Sequence, residues 1–215
     1  MGIPALILGE SGSGKSTSLR NFEHGEVGIF NVASKPFPFR KKLPKVDTRD
    51  YQKIMRGMLK SSAKAFVIDD SQYLMAFSMF DRARETGYGK FTDIALDFKN
   101  LIDFVIQRLP PDVIVYFLHH VETAENGKVK AKTSGKMIDS QLTLEGLFSI
   151  VLMAVVDNGE HKFITQSDGS TTCKSPMEMF EKEIDNDLKI VDQAIREYWE
   201  LGENKEEEKG EKDDK

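Results

Sequence analysis

The run Gly9-Glu10-Ser11-Gly12-Ser13-Gly14-Lys15-Ser16 has the residue types and spacing to hold a chain of phosphates. It fits G-x-x-x-x-G-K-[ST], the P-loop pattern. Glycines let consecutive backbone N–H groups curl around phosphate oxygens. Lys15 can reach the β- and γ-phosphates, and the Ser16 hydroxyl can ligate Mg²⁺. Residues Gly9 through Thr17 are the expected nucleotide-binding stretch. An apolar run, Ile3 to Leu8, leads into the loop, and Ser16 to Phe22 reads as the start of a helix. A helix there would add partial positive charge behind the phosphates.

A bound triphosphate needs a carboxylate for its metal. Ala65-Phe66-Val67-Ile68-Asp69-Asp70 is an apolar strand that ends in two acids, the Walker B form. Asp69 is expected to hold Mg²⁺, directly or through water. Two roles are open to Asp70: orienting or deprotonating the attacking water, or capping a helix that starts at Ser71. A second apolar strand, Val113 to Leu118, runs into His119-His120. Side chains alternate along a strand, so one of the two histidines faces the nucleotide as a γ-phosphate sensor and the other is structural. A zinc site from His119, His120 and Glu122 is excluded by poor spacing and the lack of a nearby cysteine.

The elements that must position these groups follow from periodicity. Val27 to Val32 and Ser149 to Val156 are further buried strands. Residues 33–50 form a Pro- and Lys-rich loop. Helical spacing predicts helices over 51–59, 71–84 and 91–109, the last stopped by Pro110-Pro111. His161 to Gln166 returns as a hairpin partner, Ser175-Pro176-Met177-Glu178 reads as a capping box, and a final helical region runs to about Leu201. Strands alternating with helices imply an α/β fold: a mainly parallel sheet flanked by helices, with a C-terminal β-hairpin plus helix.

The 215 residues, with a net charge of −5 and one cysteine, bound the answer to one domain over 1–202. Cys173 forms no intrachain disulfide, and no signal peptide or membrane-length apolar run is present, so a cytoplasmic protein with no membrane partner is expected. Residues 203–215 carry seven acids and four lysines and read as a disordered acidic tail. Such a tail either competes with polyanions for the chain's own basic loops or serves solubility alone.

Those basic loops centre on residues 121–136. Asn126-Gly127 between alternating runs is a strong hairpin signal. Period two places Lys128, Lys130 and Lys132 on one face of a flexible arm, with Val129 and Ala131 on the other, and Lys136 adds a fourth charge. Two readings stand: contact with nucleic-acid phosphates, or a solvated lysine face. Tyr88, Phe91 and the glycines around them form a base-stacking loop, or Phe91 belongs to the core.

The order of these parts resembles the RecA/RadA-type recombinase core. It is most similar to the compact phage-encoded RecA-like ATPases of single-strand annealing systems. The residues that carry the resemblance are Gly9 to Thr17, Phe66-Val67-Ile68-Asp69-Asp70-Ser71-Gln72, Phe117-Leu118-His119-His120 and Lys174-Ser175-Pro176-Met177-Glu178, and it spans about residues 3–201. The resemblance implies ATP and Mg²⁺ as cofactors and DNA-binding loops at 81–93 and 121–142. It implies single-stranded DNA, further copies of the chain and a single-strand DNA-binding protein as partners, with annealing or strand exchange as the outcome. The γ-phosphate sensor would be His119 or His120. One departure matters: such enzymes carry a glutamate after the second strand, and Asn31-Val32-Ala33-Ser34-Lys35 has none, so hydrolysis would rest on Asp70 or be slow. An AAA+-like helicase loader and a small-molecule kinase are the alternatives. Arg196 is the sole arginine available as a finger to the first, and Arg82 and Arg84 are the sole lid arginines available to the second.

Overall fold

The central strands are apolar along their whole length, which suits burial on both faces of a parallel sheet. In the computed structural model, which describes residues 1–134 and 142–202, they are β1 (Ile3–Leu8), β4 (Ala65–Asp69) and β5 (Ile114–His119). Around them lie β2 (Val27–Asn31), β3 (Lys45–Asp47), α1 (Tyr51–Lys60), α2 (Gln72–Asp81), α3 (Gly89–Arg108), β8 (Ile150–Asp157), β9 (Glu160–Ile164), β10 (Glu183–Asp185) and α4 (Leu188–Tyr198). A separate two-stranded ribbon pairs β6 (Val121–Thr123) with β7 (Val129–Ala131). Lys136 and the acidic tail lie outside the described residues.

The main sheet has eight strands in the order β10-β9-β8-β1-β5-β4-β2-β3. Six neighbouring strands pair in parallel; β9 runs antiparallel to β8, and β10 at the edge runs antiparallel to β9, so β9 alone opposes the other seven. Alternation sends Leu6, Leu8, Phe66, Ile68, Val115 and Phe117 into a core beneath α1, α2 and α3. Ala5, Ile7, Val67, Tyr116 and Leu118 go into a second core with Leu188, Val191 and Ile195 of α4. Register brings Leu8 opposite His119, Ile68 opposite Phe117, and Asn31 opposite Asp69. The carboxyl ends of four adjacent strands therefore share one edge. No helix among the described residues is long and apolar enough to cross a membrane.

Three local expectations need correction. The segment after the glycine loop is only a six-residue 3-10 turn, Ser16–Asn21. Ser18 returns its hydroxyl to the Lys15 carbonyl at 2.6 Å, and Ser and Thr offer the backbone alternatives to helix in this way. Positive charge at the loop thus comes from Lys15 and not from a helix dipole. The capping box at 175–178 starts no helix: Gln166 Nε2 donates to the Ser175 hydroxyl at 2.7 Å, Glu178 takes φ +62°, and the helix begins at Leu188 behind an Asp187 cap. The loop over 33–50 contains the short edge strand β3, and Glu183–Asp185 adds another edge strand.

At the amino end of the sheet the buried Tyr116 hydroxyl donates to Asp192 at 2.9 Å, and Arg196 donates to the same carboxylate and to the carbonyls of Asp112 and Lys64. This network locks α4 across β5. Tyr116→Phe should lower the unfolding free energy by about 1–2 kcal/mol, since it strips a partner from a buried carboxylate. Urea denaturation monitored by circular dichroism checks it.

Candidate functional site

Each functional side chain at the carboxyl edge is placed by a strand end. β1 delivers the glycine loop. Gly14 takes φ +100° there, and a side chain on it would meet the His161 imidazole of β9, its Cβ 2.7 Å from Nδ1. His161 Nδ1 donates to the Ser13 carbonyl at 3.0 Å. Lys15 is almost fully buried and folds back across the loop, its Nζ donating to the carbonyls of Gly9 at 2.7 Å and Glu10 at 2.8 Å. Burial, only partly offset by Asp70 and Asp69, lowers its pKa to about 8.

β4 delivers the acids. Ser16 Oγ donates to Asp69 Oδ1 at 2.8 Å. Burial raises Asp69 to about 6, against the hydrogen bond from Ser16. Asp70 turns the other way, in the left-handed region at φ +60°. Its carboxylate accepts from Lys35 Nζ at 2.9 Å and from His120 Nε2 at 3.1 Å. Burial pushes Asp70 up, but the hydrogen bonds and charges of His120 and Lys35 outweigh it and hold the group at about 2. The carboxylate is therefore not a cap for α2, whose first turn receives only backbone contacts from this residue.

β5 delivers the histidines, and they diverge. His119 is fully buried against Phe98, with ring centroids 5.7 Å apart. Its Nε2 donates to the Lys132 carbonyl at 2.8 Å, which leaves Nδ1 to accept from the Ser71 hydroxyl at 2.9 Å. Burial lowers its pKa to about 4, so the ring is neutral. His120 faces Asp70 and packs edge-on against Tyr73 at 5.3 Å.

A cleft of about 220 Å³ gathers Ser11, Gly12, Gly14, Lys15, Ser16, Thr17, Lys35, Pro36, Pro38, Asp69, Asp70 and His120. His119 does not line it, so of the two histidines only His120 is positioned as a sensor. Gly9, Glu10 and Ser13 border a neighbouring apolar slot beside Val121, Val129 and Val155. A third hollow joins Glu10, Ser11 and His120 to Tyr73, Phe80 and Lys132.

The basic arm is a docked hairpin, not the flexible arm expected from its composition. Val129 N donates to the Ser170 carbonyl at 2.8 Å, Ala131 N to the buried Glu145 carboxylate at 2.8 Å, and Lys132 N to the His120 carbonyl at 2.9 Å. Val129 and Ala131 pack on the core while Lys128, Lys130 and Lys132 point the other way; Lys130 pairs with Glu122 across the ribbon at 3.2 Å. Lys136 lies outside the described residues. Arg82 is occupied by Glu85 and Asp93, and Arg196 is held at the opposite end of the sheet. Tyr88 is exposed and Phe91 lies 6.4 Å from it in a tilted pair. Lys162 is paired with Glu183 at 2.6 Å.

Lys35, Tyr73 and His161 are site residues that sequence reasoning missed. For Lys35 the available signal is its place at the end of Asn31-Val32-Ala33-Ser34-Lys35, directly after β2, a stretch without a glutamate.

Among the described residues no group of three or more His, Cys, Asp or Glu side chains could hold a metal alone. The Ser16 hydroxyl and Asp69 carboxylate are nonetheless the hard oxygen pair that Mg²⁺ accepts when phosphates and water complete its shell. No protein-family model matches this chain, and no curated protein matches it.

Asp69 is held at a cost. Its carboxyl titrates near 3.9 in an unfolded chain and at about 6 in the folded one. Between those values the folded state binds more protons, so stability falls as pH rises through roughly 4 to 6 and then levels off. Asp69→Asn should therefore stabilise the nucleotide-free protein by about 2–3 kcal/mol at pH 7–8 and by nearly nothing at pH 4. Denaturant melts at the two pH values test this.

Proposed function

We propose that this cleft binds ATP with Mg²⁺ and that the chain is a RecA-like P-loop ATPase acting on single-stranded DNA. The observation that carries the reading is the convergence of Lys15, Ser16 and Asp69 at the carboxyl edge, where ligands bind in open α/β sheets. The glycine loop presents backbone amides, Lys15 supplies a charge parked on carbonyls that a phosphate would replace, and Ser16 and Asp69 would hold the metal. Bound Mg²⁺ neutralises charge on the phosphates. The cleft is smaller than the roughly 300–1,000 Å³ of whole-ligand sites, which suits the phosphates; the rest of the nucleotide would extend beyond it.

In this reading Asp70 and His120 act together. With Asp70 ionised and fixed by two donors, it would orient water more readily than take up a proton, which predicts slow turnover. His119 links the same strand end to the basic hairpin through Lys132, so occupancy of the cleft and of the hairpin face would be felt by each other. Annealing or strand exchange, assembly on DNA and contact with a single-strand DNA-binding protein are the wider role proposed. The fixed positions of Arg196 and Arg82 speak against a helicase loader and a small-molecule kinase.

Phosphate release measured with and without single-stranded DNA tests the reading. Lys15→Ala should lose nucleotide binding, and Asp70→Asn should keep binding but lower turnover at least about tenfold, as a group acting mainly in the transition state does. Wild-type rates in Lys15→Ala would refute the assignment.

The hairpin generates its own test. Alanine at Lys128, Lys130, Lys132 and Lys136 should weaken single-strand binding and flatten its salt dependence by roughly 0.7 per lost phosphate contact. Filter binding across salt concentrations reads both, and an unchanged slope would return these lysines to a solvated face.

A further inference from the structure

Lys35 has a fixed backbone and an exposed side chain that ends on Asp70. Asn31, buried at the end of β2, donates Nδ2 to the Lys35 carbonyl at 2.8 Å, and Lys45 Nζ donates to the same oxygen at 2.6 Å. Ser34, at φ +55°, makes the turn after β2, its N–H donating to the Asn31 carbonyl at 3.4 Å. The Lys35 side chain is 58% exposed, its ammonium 2.9 Å from Asp70 Oδ2 and 5.1 Å from the centre of the Tyr73 ring. It lines the same cleft as Lys15, Ser16 and Asp69.

We propose that Lys35 is a terminal-phosphate ligand supplied from within the chain, which leaves Asp70 for the third phosphate of a nucleoside triphosphate and has no such partner in a diphosphate. The inference rests on the nucleotide reading above. The glycine loop and Lys15 sit at the end of β1, whereas Lys35 enters from the end of β2, beyond β5 and β4. A diphosphate seated on the loop is anchored at the β1 side. A third phosphate extends the chain toward the end of β4, where Lys35 meets Asp70. The lysine of this pair is exposed while its carboxylate is nearly buried, and a phosphate, which carries more charge than one carboxylate and offers further acceptor oxygens, can compete for its ammonium through charge-assisted bonds. The anchored backbone lets the head change partners without moving the loop. Tyr73 offers the ammonium a ring face close to its present seat. The exchange leaves one Asp70 oxygen unpaired beside the phosphate, so Lys35 would report the third phosphate and release Asp70 in one movement.

Calorimetric titration of the full-length protein with MgADP and with a non-hydrolysable ATP analogue tests this. Lys35→Met should bind ADP within about twofold of wild type and the triphosphate analogue about tenfold or more weaker. Lys35→Arg should keep part of the preference, because it keeps the charge. Asp70→Asn, which frees Lys35, should raise the preference for triphosphate. A merely structural lysine would change both nucleotides alike. Equal losses for the two nucleotides, or no change in either, would overturn the inference and leave the nucleotide reading standing. A wild-type protein that binds neither nucleotide would overturn both. The Lys35 side chain is exposed, so Lys35→Met removes no buried packing, and Lys35→Arg reports independently of it.

Discussion

The hydrogen bond from Ser16 to Asp69, 2.8 Å long, joins segments 53 residues apart and depends on every strand between them being in register. β5 separates β1 from β4, so the contact forms only if three parallel strands end at one level. A slip of one residue would turn Asp69 to the opposite face of the sheet. The two cores enforce the register, because each strand residue has a defined side: Ile68 packs with α2 and α3, and Val67 with α4. The site is thus specified by apolar packing on both faces of the sheet, well away from its own polar atoms.

At that edge, neighbouring residues in sequence do different work because the strands are ending. Asp69 continues the pleat and meets Ser16, whereas Asp70 leaves it at φ +60° and meets Lys35 and His120. Left-handed backbone costs a non-glycine residue roughly 1 kcal/mol, less for aspartate than for most. The two bonds to Asp70 offset that cost. The same division separates His119, which is neutral and bound into the core, from His120, which faces the cleft. Burial pushes Lys15 and Asp69 each toward its neutral form. Opposite charges that burial has partly withdrawn from water are the electrostatic setting in which a metal-bound phosphate chain would be strongly held.

Much of this was legible in the chain itself. Ile3–Leu8, Ala65–Asp69 and Ile114–His119 are long enough and apolar enough that no other element fits them, and the glycine, lysine and aspartate spacing carried its own chemistry. What stayed hidden depends on long-range contact. Ser175 has a capping-box sequence, but its hydroxyl is taken by Gln166, and Lys174 exchanges both backbone bonds with Val151. The hairpin reads as a mobile basic arm, yet Glu145, an acid with no local sign of burial, fastens Ala131 to the body. Lys35 looks like one of several loop lysines until the fold brings Asp70, 35 residues later, within 2.9 Å.

The back of the glycine loop carries buried polar atoms without a hydrogen-bond partner among the described residues. Asn186, which is nearly completely buried, has no hydrogen-bond partner for either side-chain polar atom among the described residues, and the Ser13 hydroxyl is likewise unpaired. A buried unpaired polar group costs about 1–3 kcal/mol. Asn186 Oδ1 lies 3.2 Å from the position a Gly14 side chain would take, so this cost sits directly against the loop. On the loop's other side, Lys15 spends its charge on two neutral carbonyls. The conformation is held from the edge of the sheet by His161, and through Asp187 and Asn21 by the start of α4. A ligand that draws Lys15 forward and lets the Ser13–Gly14 backbone adjust toward Asn186 would gain on both faces of the loop. In the nucleotide reading proposed above, the polar atoms behind the loop would therefore contribute to binding alongside the lysine in front of it.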